Sequence, residues 1–344
     1  MSKKFDVVIG NPPYQEEAKG AGTRDTPVYH RFMDAAYEVG EKAVLITPAR
    51  FLFNAGFTPK AWNEKMLSDP HLRVPVYVPN SAELFPGTDI KGGIAVTYRD
   101  AGQKGEAIGA FTSFPELNGI LQKVINFQEP SLGEQVTSGR AYAYTSKMHA
   151  ENPDASGLMS GDAQFRISTN TFDKLPFLFH ESEPNDGQEY VQVLGLIKNV
   201  RLSRWIRSDY VTGPDSFATY KTALPAANGS GAFGETLSNP TVLEPNTAVT
   251  QSFITIGTFS ARDEAESCLR YIKTKFARTM LGVLKITQHN PAKVWKHVPA
   301  QDFTAASDID WSKPLPEIDQ QLYAKYGLDD DEISFIESHV KQMD

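Results

Sequence analysis

The stretch FDVVIGNPPYQ, residues 5–15, decides how the rest of the chain reads. Residues 5–9 are short, rich in β-branched side chains and bounded by Gly10 and two prolines, which predicts a buried strand. Asn11-Pro12-Pro13-Tyr14 follows at its carboxyl end. Consecutive prolines fix φ and remove two N–H donors, and the residue before a proline is driven to extended backbone. The tetrad is therefore a stiff corner at the end of a strand, where open α/β sheets bind ligands.

Outward from that corner the chain alternates. Thr26 and Pro27 read as the start of a helix. Val28, Phe32, Ala35, Ala36 and Val39 form its apolar face, and Gly40 ends it. KAVLITP (42–48) is a second apolar run, PKAWNEKML (59–67) is helical, and RVPVYV (73–78) and GGIAVTYR (92–99) are extended. Strand, helix, strand, helix, strand implies a parallel α/β sheet, with the last run free to close a hairpin at its edge. Past residue 112 the texture changes to long polar segments and short apolar runs, an irregular α+β region. It includes helices at 115–127, at 263–284 (Ala265, Leu269, Ile272, Phe276, Met280 and Leu284 on one face), at 315–325 and after Asp329-Asp330-Asp331-Glu332.

Composition narrows the class. The 344 residues are 40% hydrophobic and 11% aromatic, typical of a globular protein. No stretch is apolar enough for a transmembrane helix, and the N-terminus lacks a signal-peptide core, so a cytoplasmic location is the expectation. Cys268 is the single cysteine, which excludes an internal disulfide framework and a cysteine-rich zinc site; no metal is expected. The net charge of −8 argues weakly against a nucleic-acid partner. It is uneven, however: residues 301–344 hold 11 acidic and 3 basic side chains, so residues 1–300 are formally neutral, and 262–297 carry 8 Lys/Arg against 3 Asp/Glu.

The tetrad has a chemistry of its own. The Asn11 side-chain carbonyl and the Pro12 main-chain carbonyl are two acceptors, and Tyr14 is a flat ring just beyond. Together they suit a planar group bearing an NH₂. Two hydrogen bonds accepted from such an amine localise its lone pair and let it attack an electrophilic methyl group without prior deprotonation. The bland alternative, a proline-stiffened strand exit, needs neither Asn nor Tyr.

NPPY after an apolar strand resembles the catalytic motif of the gamma-class, Taq-type N6-adenine DNA methyltransferases of bacterial restriction–modification systems. AVLITPARFL (43–52) and ELFPGTDIKGGIAVTYRD (83–100) resemble later motifs of the class. YIKTKFARTMLGVLKITQHNP (271–291) and VWKHVPAQDF (294–303) resemble its target-recognition region. The resemblance implies an α/β fold: a partial Rossmann-like methyltransferase sheet over 1–112, then a target-recognition domain over 113–344. It implies methyl transfer from S-adenosylmethionine to an adenine flipped out of double-stranded DNA. Asn11, Pro12 and Tyr14 would be catalytic, Tyr14 and Phe85 would stack on the base, and Asn11 and Pro13 would touch the cofactor. Lys273, Arg278, Lys285, Gln288, His289 and Asn290 would contact DNA. Phe85 also reads as a core aromatic, the basic helix as a solvated face, and 285–291 as a polar surface loop.

One departure from the family stands out. The family places its cofactor half, with a Gly-rich turn after the first strand, before NPPY; here NPPY follows the first strand of the chain. ANGSGAFGE (227–235) is the candidate for a permuted cofactor loop, and reads better as a recognition-domain loop. The expectation is a partner polypeptide that supplies the cofactor half, with a cognate restriction endonuclease as a further associate. Two rivals stay open: a non-catalytic DNA-specificity subunit or truncated remnant, and a protein-glutamine methyltransferase, which would use the same tetrad on a planar amide.

Overall fold

The computed structural model describes the chain apart from residues 1–3, 17–25, 54–56, 91, 106, 113 and 286. It is a mixed α/β structure with several sheets and ten α-helices among the described residues. Two compact units divide it, residues 1–118 and 119–344.

Unit 1 runs β1 (Phe5–Gly10), β2 (Gln15–Glu16), β3 (Thr26–Pro27), α1 (Tyr29–Val39), β4 (Gly40–Pro48), α2 (Lys60–Leu67), β5 (Leu72–Val78) and β6 (Ile94–Asp100); α3 (Pro115–Asn126) spans the boundary. Its main sheet has the order β1-β4-β6-β5. β1 and β4 are parallel, from Phe5 opposite Gly40 to Gly10 opposite Leu45, whereas β6 runs antiparallel to both β4 and β5. The sheet is thus mixed rather than parallel, and the last strand lies inside it while β5 takes the edge. Gly92 and Gly93 make that return possible: both have positive φ, and a Cβ on Gly93 would lie 2.3 Å from the Val78 carbonyl oxygen.

Two local expectations are corrected. Thr26 and Pro27 do not open the helix; they pair with Gln15 and Glu16 as β3, and α1 begins at Tyr29 with no side-chain cap. The buried stripe of α1 is Tyr29, Met33, Ala36 and Tyr37, while Phe32 is 46% exposed. Gly40 ends α1 as expected, with extended backbone; a Cβ there would sit 2.7 Å from Val8 Cγ2 on the adjacent strand. The core behind the sheet joins the α1 stripe to Leu45, Phe51, Trp62, Met66 and Leu72.

β1 departs from expectation most. Phe5, Val7 and Ile9 are 57%, 47% and 77% exposed, and among the described residues β1 pairs with β4 alone. Side chains two apart share a sheet face. One face of β1 is therefore an apolar row open to solvent, beside an unpaired backbone edge.

Unit 2 continues with β7 (Val136–Ser138), β8 (Ala143–Tyr144), α4 (Ser146–Glu151), α5 (Ala155–Leu158), α6 (Thr171–Lys174), β9 (Tyr190–Ile197), β10 (Val200–Arg207), β11 (Val211–Thr212), β12 (Tyr220–Pro225), β13 (Thr241–Leu243), β14 (Thr247–Val249), β15 (Phe253–Phe259), α7 (Arg262–Lys273), α8 (Lys275–Gly282), α9 (Leu315–Lys325) and α10 (Asp330–His339). Its sheets are β13-β12-β15-β7, β10-β9-β14 and the pair β11-β8. The long helix expected at 263–284 is broken at Thr274, which has extended ψ and accepts a hydrogen bond from Ala277 N at 3.1 Å through its hydroxyl. The Asp319 carboxylate of α9 accepts from Lys275 N and Phe276 N at 3.0 and 2.9 Å, satisfying the new helix start. Asp329 caps α10, with Glu332 reciprocating, as its acidic start suggested.

Candidate active site

The tetrad leaves β1 at its carboxyl end, beside the end of parallel β4. The Tyr14 carbonyl accepts from Val28 N at 3.0 Å, which ties the tetrad to the entry of α1. After β4 a short 3₁₀ turn, Ala49–Phe53, is anchored by Ala49 N donating to Gly93 O at 3.0 Å. Buried Ser81 organises the loop between β5 and β6: its hydroxyl accepts from Ile90 N at 2.8 Å, and its carbonyl accepts from Phe85 N at 2.8 Å.

These segments enclose a cavity of about 510 Å³ lined by Asn11, Pro12, Pro13, Tyr14, Gln15, Pro27, Tyr29, Pro48, Arg50, Asp89 and Ile90. All four tetrad residues line it, at the strand end the sequence singled out. Phe85 does not. It is half-buried in the loop that Ser81 organises, and that loop sends Asp89 and Ile90 to the cavity instead. Tyr29 and Arg50 were missed too. The signal for Arg50 was its place two residues beyond Pro48, just past the end of the strand parallel to β1. Tyr29 gave none, because the helix face was assigned to other residues.

The cavity's two phenols are held in their neutral form. Burial raises the Tyr14 hydroxyl, with the Asn11 side chain pulling weakly the other way, and burial pushes Tyr29 up to about 12. Both hydroxyls are buried without a well-formed hydrogen bond. A neutral phenol is a stacking surface and a donor, not a base. No histidine lines the cavity, and no group of His, Cys, Asp and Glu able to hold a metal occurs among the described residues. The site thus offers acceptors, an aromatic face and one charge of each sign.

The expected DNA-contacting residues separate into three groups. Gln288 and His289 are exposed. Arg278, Lys285 and Asn290 are buried, and the expectation of DNA contact for them is corrected. Arg278 donates to the main-chain oxygens of Lys273 and Lys341 at 3.1 and 2.6 Å. Lys285 pairs with Glu235 at 2.7 Å and donates to Asn228 O at 3.0 Å. The Asn290 amide donates to Pro225 O at 3.1 Å. Lys273 is partly exposed, and its ammonium donates to Asp344 O at 2.8 Å.

The loop 227–235 is not an open anion cradle either. Ser230 N and Gly231 N, each 2.9 Å from the Glu235 carboxylate, hold the chain's own acid. A Cβ on Gly229, where φ is +62°, would sit 2.2 Å from that carboxylate. Gly229 and Gly231 serve this internal clasp, and no helix follows them among the described residues.

Residues 1–85 match the family model described as Eco57I restriction-modification methylase. That stretch carries β1, the tetrad and β4, and the match supports a relationship to restriction–modification methylases. No curated protein matches the chain. Among solved structures the chain is similar to the type IIG restriction endonuclease BpuSI, at 11% identity and a TM-score of 0.35, over 97% of this chain and 52% of that one. The chain therefore spans about half the length of that enzyme. No helix among the described residues is long and apolar enough to cross a membrane.

Proposed function

We propose that the chain is the target-base and DNA-recognition part of an S-adenosylmethionine-dependent DNA adenine-N6 methyltransferase of restriction–modification type. The observation that carries the reading is the full tetrad Asn11–Tyr14 lining one cavity at the carboxyl end of β1. The extruded adenine presents N6 to the Asn11 amide oxygen and the Pro12 carbonyl, and Tyr14 stacks on the ring. Such stacking, worth roughly 1–3 kcal/mol, offsets part of the few kcal/mol that extrusion costs. The two acceptors act most strongly as N6 pyramidalises, so they favour the transition state over the bound base. Neither acceptor needs to act as a base, because N6 loses its proton only after attack.

S-adenosylmethionine supplies the methyl group when bound. Asn11 and Pro13 are exposed at the end of β1 and are the residues here that would touch it. They make only part of a cofactor site, since the one Gly-rich loop expected to help is closed around Glu235. A further polypeptide segment pairing along the free edge of β1 and covering Phe5, Val7 and Ile9 would complete the site. Unit 2 serves as the recognition domain, and a cognate endonuclease belongs to the same system. The incomplete cofactor site is also what a non-catalytic DNA-specificity subunit would show.

The two readings part in one experiment. The chain, co-expressed with the product of its neighbouring gene, is incubated with duplex DNA and labelled S-adenosylmethionine, and the nucleosides are resolved by mass spectrometry. N6-methyladenine is the expected product. DNA binding with no methylated nucleoside would favour the specificity subunit, and methylated glutamine in a protein substrate would overturn the DNA reading.

A further inference from the structure

Five segments of unit 2 meet at one end of its sheets: 138–141, 166–170, 225–228, 250–252 and 287–293. Short contacts join them in sequence. A Cβ on Gly139 would lie 2.3 Å from Thr250 O. Gln251 N donates to Ile167 O at 3.0 Å, and the Ser252 hydroxyl donates to Thr169 Oγ1 at 3.0 Å. Ala226 N donates to Ser252 O at 2.8 Å, Asn290 N to Ala226 O at 2.9 Å, and Asn228 N to Gln288 O at 2.6 Å. The result is a continuous rim built from parts far apart in sequence.

Its chemistry differs from that of the chain as a whole. No Asp or Glu occurs in any of the five segments, although the protein carries a net charge of −8. Arg140, Arg166 and Lys293 are the charged residues, all exposed. Elsewhere in unit 2 surface bases are commonly paired, as Arg204 is with Glu181 and Arg262 with Glu244 and Glu266. No ion pair engages Arg140, Arg166 or Lys293 among the described residues. Exposed Gln288 and His289 and partly exposed Gln251 lie among them.

We propose that this rim is the duplex-DNA contact surface of unit 2, with Arg140, Arg166 and Lys293 on phosphates and Gln251, Gln288 and His289 at base edges. Unpaired bases with no acid between them form a phosphate-binding surface, and Gln in particular can take adenine N6/N7 as a bidentate partner. The proposal rests on the DNA reading above and replaces the basic helix 263–284 as its contact surface. It keeps Gln288 and His289 and adds Arg140, Arg166, Lys293 and Gln251.

The test is fluorescence anisotropy of a labelled duplex titrated with the full chain at several salt concentrations. Arg140→Glu/Arg166→Glu is compared with Lys4→Glu/Lys104→Glu, an equal charge change at exposed residues of unit 1. The rim variant is expected to lose about tenfold or more in affinity. Its slope of log K against log salt should fall by about 1.8, for two phosphate contacts. The control should bind like wild type. Arg140→Gln/Arg166→Gln repeats the test with a gentler change, and thermal unfolding confirms that each variant is folded. Wild-type-like binding by both rim variants would overturn the proposal and leave the methylation reading standing. So would an equal loss in the control, and so would failure of the wild-type chain to bind duplex at all. Methylation itself is judged separately, by the nucleoside product.

Discussion

Lys285 Nζ lies 2.7 Å from Glu235 Oε1, and both side chains are largely withdrawn from solvent. Burial alone would raise the Glu235 carboxyl; the Lys285 ammonium, with the N–H groups of Ser230 and Gly231, brings it down instead to about 2. A residue that sequence alone offers to DNA is thereby the clasp of a glycine-rich loop. Removing one partner strands the other charge, so Lys285→Met should cost about 3–5 kcal/mol. Urea unfolding measures this, and a cost under about 1 kcal/mol would refute the clasp.

The same pair sets an acid dependence. Glu235 has an ordinary pKa of 4.5 and a folded value of about 2. Its contribution to stability is present in full above 4.5 and is lost as pH falls from there through 2. Lys285→Met should flatten stability against pH across that window. An unchanged profile would assign the acid sensitivity to other carboxylates.

Tyr14 and Tyr29 should separate ring from hydroxyl. Neither hydroxyl makes a well-formed hydrogen bond, so Tyr14→Phe and Tyr29→Phe should each change stability by less than about 0.5–1 kcal/mol. Tyr14→Phe should retain most methylation, and Tyr14→Ala should lose base extrusion. 2-Aminopurine at the target position reads this directly, brightening as it unstacks with wild type and Tyr14→Phe. Equal failure of the Phe and Ala variants would assign the phenol a chemical role.

The exposed row on β1 gives a prediction about assembly. Ile9 is 77% exposed, so Ile9→Asp should shift the stability of the isolated chain by no more than roughly 0.5 kcal/mol. If a further segment covers that row, the same change should abolish association with it and any gain in S-adenosylmethionine affinity. Calorimetry on the chain, alone and with the neighbouring gene's product, measures both. Tight cofactor binding by the isolated chain would remove the need for a second segment.

The site was more legible than the fold around it. Asn11–Tyr14 could be placed because proline restriction and a short β-branched run act locally, and the cavity lies at that strand end. The sheet's mixed topology was not readable, because pairing β6 between β4 and β5 depends on a close approach at Gly93 that spacing does not encode. The break at Thr274 was hidden for a similar reason: its cap is completed by Asp319, 45 residues further along the chain. Arg278 and Lys285 misled because a charged side chain reads as surface. Their partners are main-chain carbonyls and Glu235, brought together only by the fold. The rim of unit 2 could not be foreseen, since its five segments share no local pattern.

Asn11→Ala is the most direct test of the central claim. In the assembly that methylates DNA, single-turnover transfer of labelled methyl to adenine N6 should fall by at least about 100-fold, the scale of losing one preorganised partner at the reacting group. Affinity for duplex DNA, measured on the same preparation, should stay within about twofold of wild type. Near-normal transfer by Asn11→Ala, with that affinity retained, would contradict the account.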